Sequence, residues 1–260
     1  MVSASFTDEQ MLSTAGYGLI PPKFSTAAYE YLFTDLSQLL VSFGVTLTVT
    51  VVGTGLGLLV MSLCAYALSR RAFRFRSVVG FIIFFTLLFN GGLISSYILI
   101  TQYLNLKNTI LVLILPYVVL PWLVLLLKAF FSRLPEELLD AARVDGANEW
   151  RIFFTIVLPL STPALATVGL FHALIYWNDW WLALLYIDNR NLEPLQFMLH
   201  QVMTSAERIP RNPYVQFTQP PVQSVRMALA LIATAPIVIA FLSLQNYFVR
   251  GIALGGLKDG

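Results

Sequence analysis

Charged side chains are scarce in this sequence of 260 residues. It contains 16 Lys and Arg and 14 Asp and Glu, so that 12% of its residues are charged, whereas a soluble domain commonly has about 25%. The net charge of +2 is too small to indicate a nucleic-acid partner or a polybasic membrane anchor. Since 57% of the residues are hydrophobic, the composition argues against a water-soluble enzyme.

Cysteine and histidine are also rare. The single cysteine, Cys64, cannot form an intramolecular disulfide bond. One cysteine and two histidines do not supply the usual ligands of a structural zinc site. The sequence therefore predicts a fold stabilised by packing, with no metal ion and no cofactor bound by this chain.

Long uncharged segments dominate the chain instead. Charged residues are absent from 36–69, 77–106, 108–127, 152–178 and 227–249. A helix needs about 20 apolar residues to cross a bilayer core of about 30 Å, and these segments lack the short alternating pattern of a membrane barrel. We predict an all-α integral membrane protein with five transmembrane helices, near 40–68, 78–100, 110–130, 162–186 and 226–249.

Four arginines between the first two predicted helices indicate the orientation. Arg70, Arg71, Arg74 and Arg76 have no acidic residue among them, which places this loop in the cytoplasm. Alternation then puts residues 1–35 and the loop 187–225 outside, and the loop 132–161 inside. Because the chain would begin outside without a preceding helix, we expect either a start upstream of Met1 or the loss of a first helix.

Small and polar residues inside the apolar segments predict contacts between helices. Gly53 and Gly57 lie four residues apart, and no Lys-Ser/Thr follows them as in a phosphate-binding loop. Their spacing favours close helix–helix contact. His172 is predicted to form a hydrogen bond between helices rather than to bind a ligand.

Aromatic and polar side chains cluster at the outer end of the fourth predicted helix. They are Tyr176, Trp177, Asn178, Asp179, Trp180 and Trp181. One interpretation is an aromatic belt at the membrane interface. The other is the mouth of a translocation path, where aromatic faces pack on sugar C–H groups and Asn and Asp bind hydroxyl groups. Asn90 is a further candidate for the translocation path. The Asn90-Gly91-Gly92 break in the second predicted helix leaves backbone groups that need protein or water as hydrogen-bond partners. A simple packing kink is the alternative interpretation.

The segment 132–161 predicts two short helices at the membrane surface. Pro135 suits a helix start, and acidic residues follow it, as the positive end of a helix favours. Gly146 allows a left-handed turn that ends this helix, and a second helix is predicted from Ala147 to Val157, before Pro159. An ordinary amphipathic connector is the alternative interpretation.

The residue spacing in this segment resembles a known motif. Ala141-Ala142, three residues, Gly146, nine residues and then Ile156-Val157-Leu158-Pro159 resemble the "EAA" loop in permease subunits of binding-protein-dependent ABC importers. The leading Glu of the family is replaced by Asp140. Nearly the whole chain is similar to carbohydrate-importer permeases, through Asn90-Gly91-Gly92-Leu93-Ile94, Asn108-Thr109 followed by Leu115-Pro116, and the C-terminal residues 246–251 and 255–260. Among these permeases it most resembles those associated with complex oligosaccharides, through Asn90-Gly91-Gly92 and Gly18-Leu19-Ile20-Pro21.

The resemblance implies a type I ABC importer fold and a coupling role for the cytoplasmic loop. Permeases of this family usually have six spans, so the missing one would precede Met1, and residues 36–260 would form the permease domain. The loop would lie in a groove of a separate ATPase subunit that binds ATP and Mg²⁺. The implied contact residues are Glu137, Leu138, Leu139, Asp140, Ala141, Ala142, Gly146, Ile156, Leu158 and Pro159, with apolar Leu138, Leu139 and Ala142 buried in the groove.

The resemblance also implies partners and a location. We expect a second, related permease subunit, two ATPase subunits, an external solute-binding protein that docks on 187–225, and an oligosaccharide substrate, in the bacterial cytoplasmic membrane. An importer permease for another solute, such as a peptide or amino acid, is one alternative. An ion-coupled carrier would need inverted repeats and buried ionisable groups, and a membrane enzyme would need a catalytic cluster; neither is evident in the sequence.

Overall fold

The computed structural model describes residues 1–34, 36–208 and 222–256. These residues form helices connected by loops, and the only strand-like pairing among them is an isolated antiparallel bridge between Thr7 and Phe24. The prediction of an all-α fold is confirmed. The α-helices are Val2–Ser5, Glu9–Ala15, Ala27–Thr34, Leu36–Ser69, Arg76–Leu88, Leu93–Ile98, Ile110–Ile114, Pro121–Phe131, Glu136–Val144, Glu149–Ile152, Leu158–Leu160, Thr162–Trp177, Trp181–Tyr186, Leu195–Arg208 and Val222–Gly256. Two π-helical turns, Leu99–Tyr103 and Phe153–Val157, and two 3₁₀ turns, Leu115–Tyr117 and Arg190–Leu192, complete the described elements.

The membrane-crossing segments are more broken than predicted. Of the described helices, Leu36–Ser69 alone is long and apolar enough to cross a membrane unaided, and up to four segments qualify if each bent pair counts as one. The bent pairs are Arg76–Leu88 with Leu93–Tyr103 at 112°, Ile110–Tyr117 with Pro121–Phe131 at 49°, and Glu149–Leu160 with Thr162–Trp177 at 82°. The fifth predicted segment lies in Val222–Gly256, whose described apolar part, Gln223–Ile239, is shorter than a full span.

Local sequence accounts for these breaks. At the 112° bend, Gly92 has a φ of +84°, and the Asn90 side-chain oxygen accepts a hydrogen bond from the Gly92 amide at 2.8 Å. In the next bent pair, Pro121 is the first residue of the second helix. Proline lacks the N–H group that a helix interior requires, but the first turn of a helix does not need it. The fourth predicted segment ends earlier than expected: its helix stops at Trp177, and Trp181–Tyr186 is a separate helix. Asp35, residues 209–221 of the predicted external loop and residues 257–260 of the C-terminal motif lie outside the described residues.

One compact unit combines distant parts of the chain, namely Met1–Thr48, Lys107–Ile110 and Trp177–Ala240. Its core includes Leu32, Leu39, Leu195 and Leu229. The Glu9 carboxylate accepts hydrogen bonds from the Gln223 and Ser224 amides, at 2.8 and 3.0 Å, and so satisfies donors at the start of Val222–Gly256. Residues 1–34 are thus a folded part of this unit.

The second unit comprises Val49–Leu106, Leu111–Tyr176 and Phe241–Gly260. Its core is formed by Met61, Leu123, Leu127, Phe131 and other apolar side chains. The predicted close contact at the two glycines of the first long helix is confirmed. A Cβ atom on Gly53 would lie 2.5 Å from Tyr176 Cζ, and one on Gly57 would overlap the His172 ring. His172 Nε2 donates to the Tyr117 carbonyl at 2.8 Å, so its predicted hydrogen bond between helices is also confirmed.

Candidate functional site

The first half of the loop 132–161 folds as predicted. The helix Glu136–Val144 follows Pro135 and has Glu136 and Glu137 in its first turn. Gly146 has a φ of +81°, and the Ala147 amide donates back to the Ala142 carbonyl at 2.9 Å. This left-handed ending is the conformation that glycine adopts most readily.

The second half of the loop differs from the single helix that was predicted from Ala147 to Val157. Asn148 caps a short helix, Glu149–Ile152, by accepting the Arg151 amide at 2.8 Å. The wider π-helical turn Phe153–Val157 follows, and then Leu158–Leu160. Because Pro159 has no N–H group to donate to the preceding turn, a regular α-helix loses a hydrogen bond here, and the wider turn lies immediately before it.

The ten residues that the resemblance implicates divide into three groups by exposure. Glu137, Leu138, Asp140, Ala141, Gly146 and Pro159 are exposed, Ala142, Ile156 and Leu158 are partly buried, and Leu139 is buried. Leu139 is 1% exposed and packs in the same core as Ile152, Phe153 and Val157. The expectation that Leu139 lies in a partner's groove is therefore wrong, since this side chain holds the loop to its own chain. Ala142 packs partly against that core as well.

Five large apolar side chains of this loop are exposed, two of which, Phe154 and Leu160, lie in its second half. Leu138 is 49% exposed, Val144 is 88% exposed and Trp150 is 62% exposed. Val144 and Trp150 are not part of the EAA spacing, so the motif alone did not identify them. Together with Leu138, they give both helices of the loop an exposed apolar side chain.

A polar network that the sequence did not predict holds the two halves of the loop together. Arg143 Nε donates to Glu149 Oε1 at 2.9 Å, and Arg143 Nη1 donates to Asp140 Oδ1 at 2.7 Å. The Tyr66 hydroxyl, at the end of Leu36–Ser69, donates to Glu149 Oε2 at 2.5 Å. The Asp140–Arg143 pair has the i,i+3 helical spacing that sequence can reveal, but Tyr66 is 83 residues from Glu149.

The same network shifts the ionisation of its members. The hydrogen bond to Glu149 raises the pKa of Arg143. Partial burial acts to raise the pKa of Glu149, but the hydrogen bonds from Arg143 and Tyr66 outweigh it, and the pKa is lowered. The network is thus most complete when Glu149 is ionised.

Two residues of the predicted translocation mouth have a different role. The Tyr176 hydroxyl donates to the Ile114 carbonyl at 2.7 Å, and Trp177 Nε1 donates to the Ala233 carbonyl at 2.9 Å. Both side chains are buried. Their polar atoms are used within the protein, so the expectation that they contact a substrate is not supported by this arrangement.

The remaining members of the aromatic cluster lie around a helix break. Asp179 Oδ2 accepts the Leu182 amide at 3.2 Å and caps Trp181–Tyr186. Trp180 stacks on His200 with ring centroids 4.2 Å apart, and the exposed Trp181 meets Trp180 edge to face at 5.7 Å. Gln196 Nε2 donates to Asn178 Oδ1 at 3.4 Å. The structure therefore adds Gln196 and His200, from Leu195–Arg208, to the predicted Asn178, Asp179, Trp180 and Trp181.

Asn90 and Asn108, which carry part of the resemblance, both organise turns. Asn90 closes the turn at Gly92 described above and is exposed. Asn108 has a φ of 58°, and its side-chain oxygen accepts the Asp188 and Asn189 amides at 2.6 and 3.2 Å. Lys107 Nζ lies 2.8 Å from Asp188 Oδ2 and lowers the pKa of that carboxyl group.

Comparisons with known proteins agree with these observations. Residues 51–254 match the family described as "Binding-protein-dependent transport system inner membrane component". The chain is 37% identical over 261 residues to the polygalacturonan/rhamnogalacturonan transport system permease protein YtcP of Bacillus subtilis strain 168, covering 99% of this chain and 90% of that protein. It is 30% identical over 262 residues to the arabinooligosaccharides transport system permease protein AraQ of Halalkalibacterium halodurans, covering 99% and 89%.

A solved structure is similar over most of its length. It is the crystal structure of a bacterial ABC transporter involved in the import of the acidic polysaccharide alginate, with a TM-score of 0.82 at 28% identity, covering 95% of this chain and 88% of that one. The resemblance drawn from the Ala141–Pro159 spacing is therefore confirmed. The chain belongs to the family of inner membrane components of binding-protein-dependent transport systems.

Proposed function

We propose that this chain is one of two transmembrane subunits of an ATP-driven oligosaccharide importer in the bacterial cytoplasmic membrane. A related permease would form the other half of the path, and an external solute-binding protein would deliver the sugar. Two separate ATPase subunits would bind ATP and Mg²⁺. Support comes from two relatives named for the transport of polygalacturonan/rhamnogalacturonan and of arabinooligosaccharides, and from a structural neighbour involved in the import of alginate.

The observation that carries the coupling role is the division of the loop 132–161 into an anchored and an exposed side. Leu139 and Phe153 hold it to the core, while Leu138, Val144 and Trp150 are exposed. Apolar side chains exposed on a loop outside the predicted membrane spans favour a partner surface, because burying them gains about 25 cal/mol per Å². We infer that a groove of the ATPase covers Leu138, Val144 and Trp150. When the ATPase moves, the buried side chains Leu139 and Phe153 would transmit that movement to the membrane helices.

Val144 provides a sharp test of this coupling, because its side chain is 88% exposed and can be changed without disturbing the core. In the complete transporter in proteoliposomes, Val144→Asp should reduce ATP-dependent oligosaccharide uptake at least about tenfold, since an ionised group is costly to bury. Val144→Thr, which keeps the shape, should remain within about twofold of wild type. Uptake by Val144→Asp equal to that of Val144→Thr, with both variants equally inserted, would contradict the coupling role.

For the substrate path we propose a smaller set of residues than the sequence indicated. Trp180 and Trp181 would offer ring faces to the sugar, and Asn178 and Gln196 would offer hydrogen bonds to its hydroxyl groups. Trp181 is the more exposed of the two tryptophans, so Trp181→Ala should lower uptake while Trp181→Phe retains it. Trp122, equally exposed on Pro121–Phe131, provides the control. If Trp181→Ala and Trp122→Ala have the same effect, the cluster belongs to the aromatic belt.

A further inference from the structure

A cavity lies beside the coupling loop, within the unit that contains it. Its volume is about 420 Å³. One wall is the end of the first long helix and the residues after it, including Leu63, Tyr66 and Phe73, and the other is formed by Trp150 and Phe153 of the loop. Three charged residues, Arg70, Arg143 and Glu149, also line it. The cavity is thus mainly apolar, with a positive charge in excess.

Arg70 is the unusual member of this lining. It is 9% exposed, donates from Nη2 to the Phe131 carbonyl at 2.8 Å and from Nε to Ser69 Oγ at 3.0 Å, and its guanidinium carbon lies 5.1 Å from the centre of the Tyr66 ring. Arg143 is paired with Asp140 and Glu149, but none of the ion pairs between described residues includes Arg70. Glu136 and Glu149 interact with Arg70 electrostatically, but Glu149 is already held by hydrogen bonds from Arg143 and Tyr66. Because a buried cation that is not directly paired is costly, the cavity favours an added anion.

The position of the cavity indicates which kind of anion. It lies at the end of Leu36–Ser69, whose 34 residues exceed the length needed to cross a bilayer core. Arg71, Arg74 and Arg76 follow, with no acidic residue from 70 to 76. If these arginines face the cytoplasm as predicted, this end of the helix reaches the inner headgroup layer, where basic pockets between helices bind anionic headgroups. A free anion would account for the charge but not for the apolar walls.

We propose that this cavity binds an anionic phospholipid, such as phosphatidylglycerol, with its phosphate at Arg70 and its apolar part against Leu63 and Phe153. The lipid would fill the space between the first long helix and the coupling loop. Tyr66 and Glu149, which are joined by a hydrogen bond, both line this space. This inference rests on family membership and on the cavity, and it holds whichever solute the transporter carries.

Ala72 gives a matched pair of variants for the test, because it lines the cavity, is exposed and takes part in none of the hydrogen bonds above. Ala72→Glu supplies a negative charge beside Arg70 and competes with the phosphate, whereas Ala72→Gln has the same size without the charge. Arg74→Gln removes one surface cation outside the lining and controls for diffuse attraction. The full chain, delipidated in detergent, would be titrated with phosphatidylglycerol or phosphatidylcholine, and bound lipid counted by native mass spectrometry.

We expect one retained phosphatidylglycerol with at least about fivefold preference over phosphatidylcholine. Ala72→Glu should weaken this retention at least about fivefold, while Ala72→Gln and Arg74→Gln stay within about twofold of wild type. Equal retention of the two lipids, or equal binding by Ala72→Glu and Ala72→Gln, would overturn the proposal. So would a larger loss in Arg74→Gln than in Ala72→Glu, which indicates diffuse attraction, or displacement of the lipid by the bound ATPase subunit, which assigns the cavity to that partner.

Discussion

At the scale of single residues, the two glycines of the first long helix determine how closely its neighbours approach. Gly57 faces the His172 ring and the Val118 carbonyl oxygen, which would lie 2.8 Å from an added Cβ. Gly55, two residues earlier on the same helix, has no atom within 4 Å of the corresponding position. The same substitution can therefore be compared in a filled and in an open environment.

We predict that Gly57→Ala destabilises the protein by about 1–3 kcal/mol, the usual cost of overpacking a core. The methyl group must displace His172, whose Nε2 is held by the Tyr117 carbonyl. Gly55→Ala should instead stabilise it slightly, by up to about 1 kcal/mol, because alanine favours a helix where the space is open. The apparent unfolding temperatures of the two variants in detergent test this prediction. Equal temperatures would mean that His172 can move away from the added methyl group without loss of stability.

The lowered pKa of Glu149 predicts a pH dependence. A carboxyl group whose pKa is lower in the folded than in the unfolded state stabilises the fold above its ordinary value of 4.5 and loses this contribution as pH falls through the folded value. Wild type should thus exceed Glu149→Gln in stability at about pH 7, and the difference should shrink as pH falls below 4.5. Glu137→Gln, on the exposed side of the loop, is the control. A Glu149→Gln difference that stays constant down to about pH 3 would contradict the assigned network.

At the scale of helices, the sequence predicts those boundaries that depend on local chemistry. Gly146 ends its helix as expected, and Asn90-Gly91-Gly92 breaks its segment as expected, because both need backbone conformations that side chains disfavour. Hydropathy extends the fourth predicted segment past Trp177, because it does not distinguish one apolar helix from two with a short turn between them. The capping of the second helix by Asp179 became clear only from the folded geometry.

The turn at Gly146 gives a prediction for the coupling loop as an element. A side chain at a φ of +81° costs about 1–2 kcal/mol, and the surrounding space is open, so the penalty comes from the backbone alone. Gly146→Val should therefore raise the rate of trypsin cleavage at Arg143 and Arg151 by about 5- to 30-fold, if cleavage follows local opening. Gly146→Asn should raise it less, since Asn tolerates this conformation. Equal rates for the two variants would argue against backbone strain as the cause.

At the scale of the whole molecule, the uncharged segments predict the membrane class but not which distant residues meet. Thr46 accepts the Leu195 amide across 149 residues, and Glu9 accepts the Ser224 amide across 215 residues. Neither pair has a helical or strand spacing that could reveal it. The same limit explains why the sequence does not place His200 beside Trp180 or Gln196 beside Asn178, and why it places Leu139 on the partner's side of the loop.

The orientation predicted from the arginine-rich loop remains a prediction, and it concerns the whole molecule because every other loop follows from it. Short loops rich in Lys and Arg lie preferentially on the cytoplasmic side of membrane proteins, so the four arginines favour that side. Arg74 and Asn189 are both exposed and lie in loops assigned to opposite sides. In a Cys64→Ala background, Asn189→Cys should react with a membrane-impermeant maleimide in intact cells, and Arg74→Cys only after permeabilisation. The reverse pattern would invert the molecule, moving the loop 132–161 away from ATP and removing the basis of the proposed coupling.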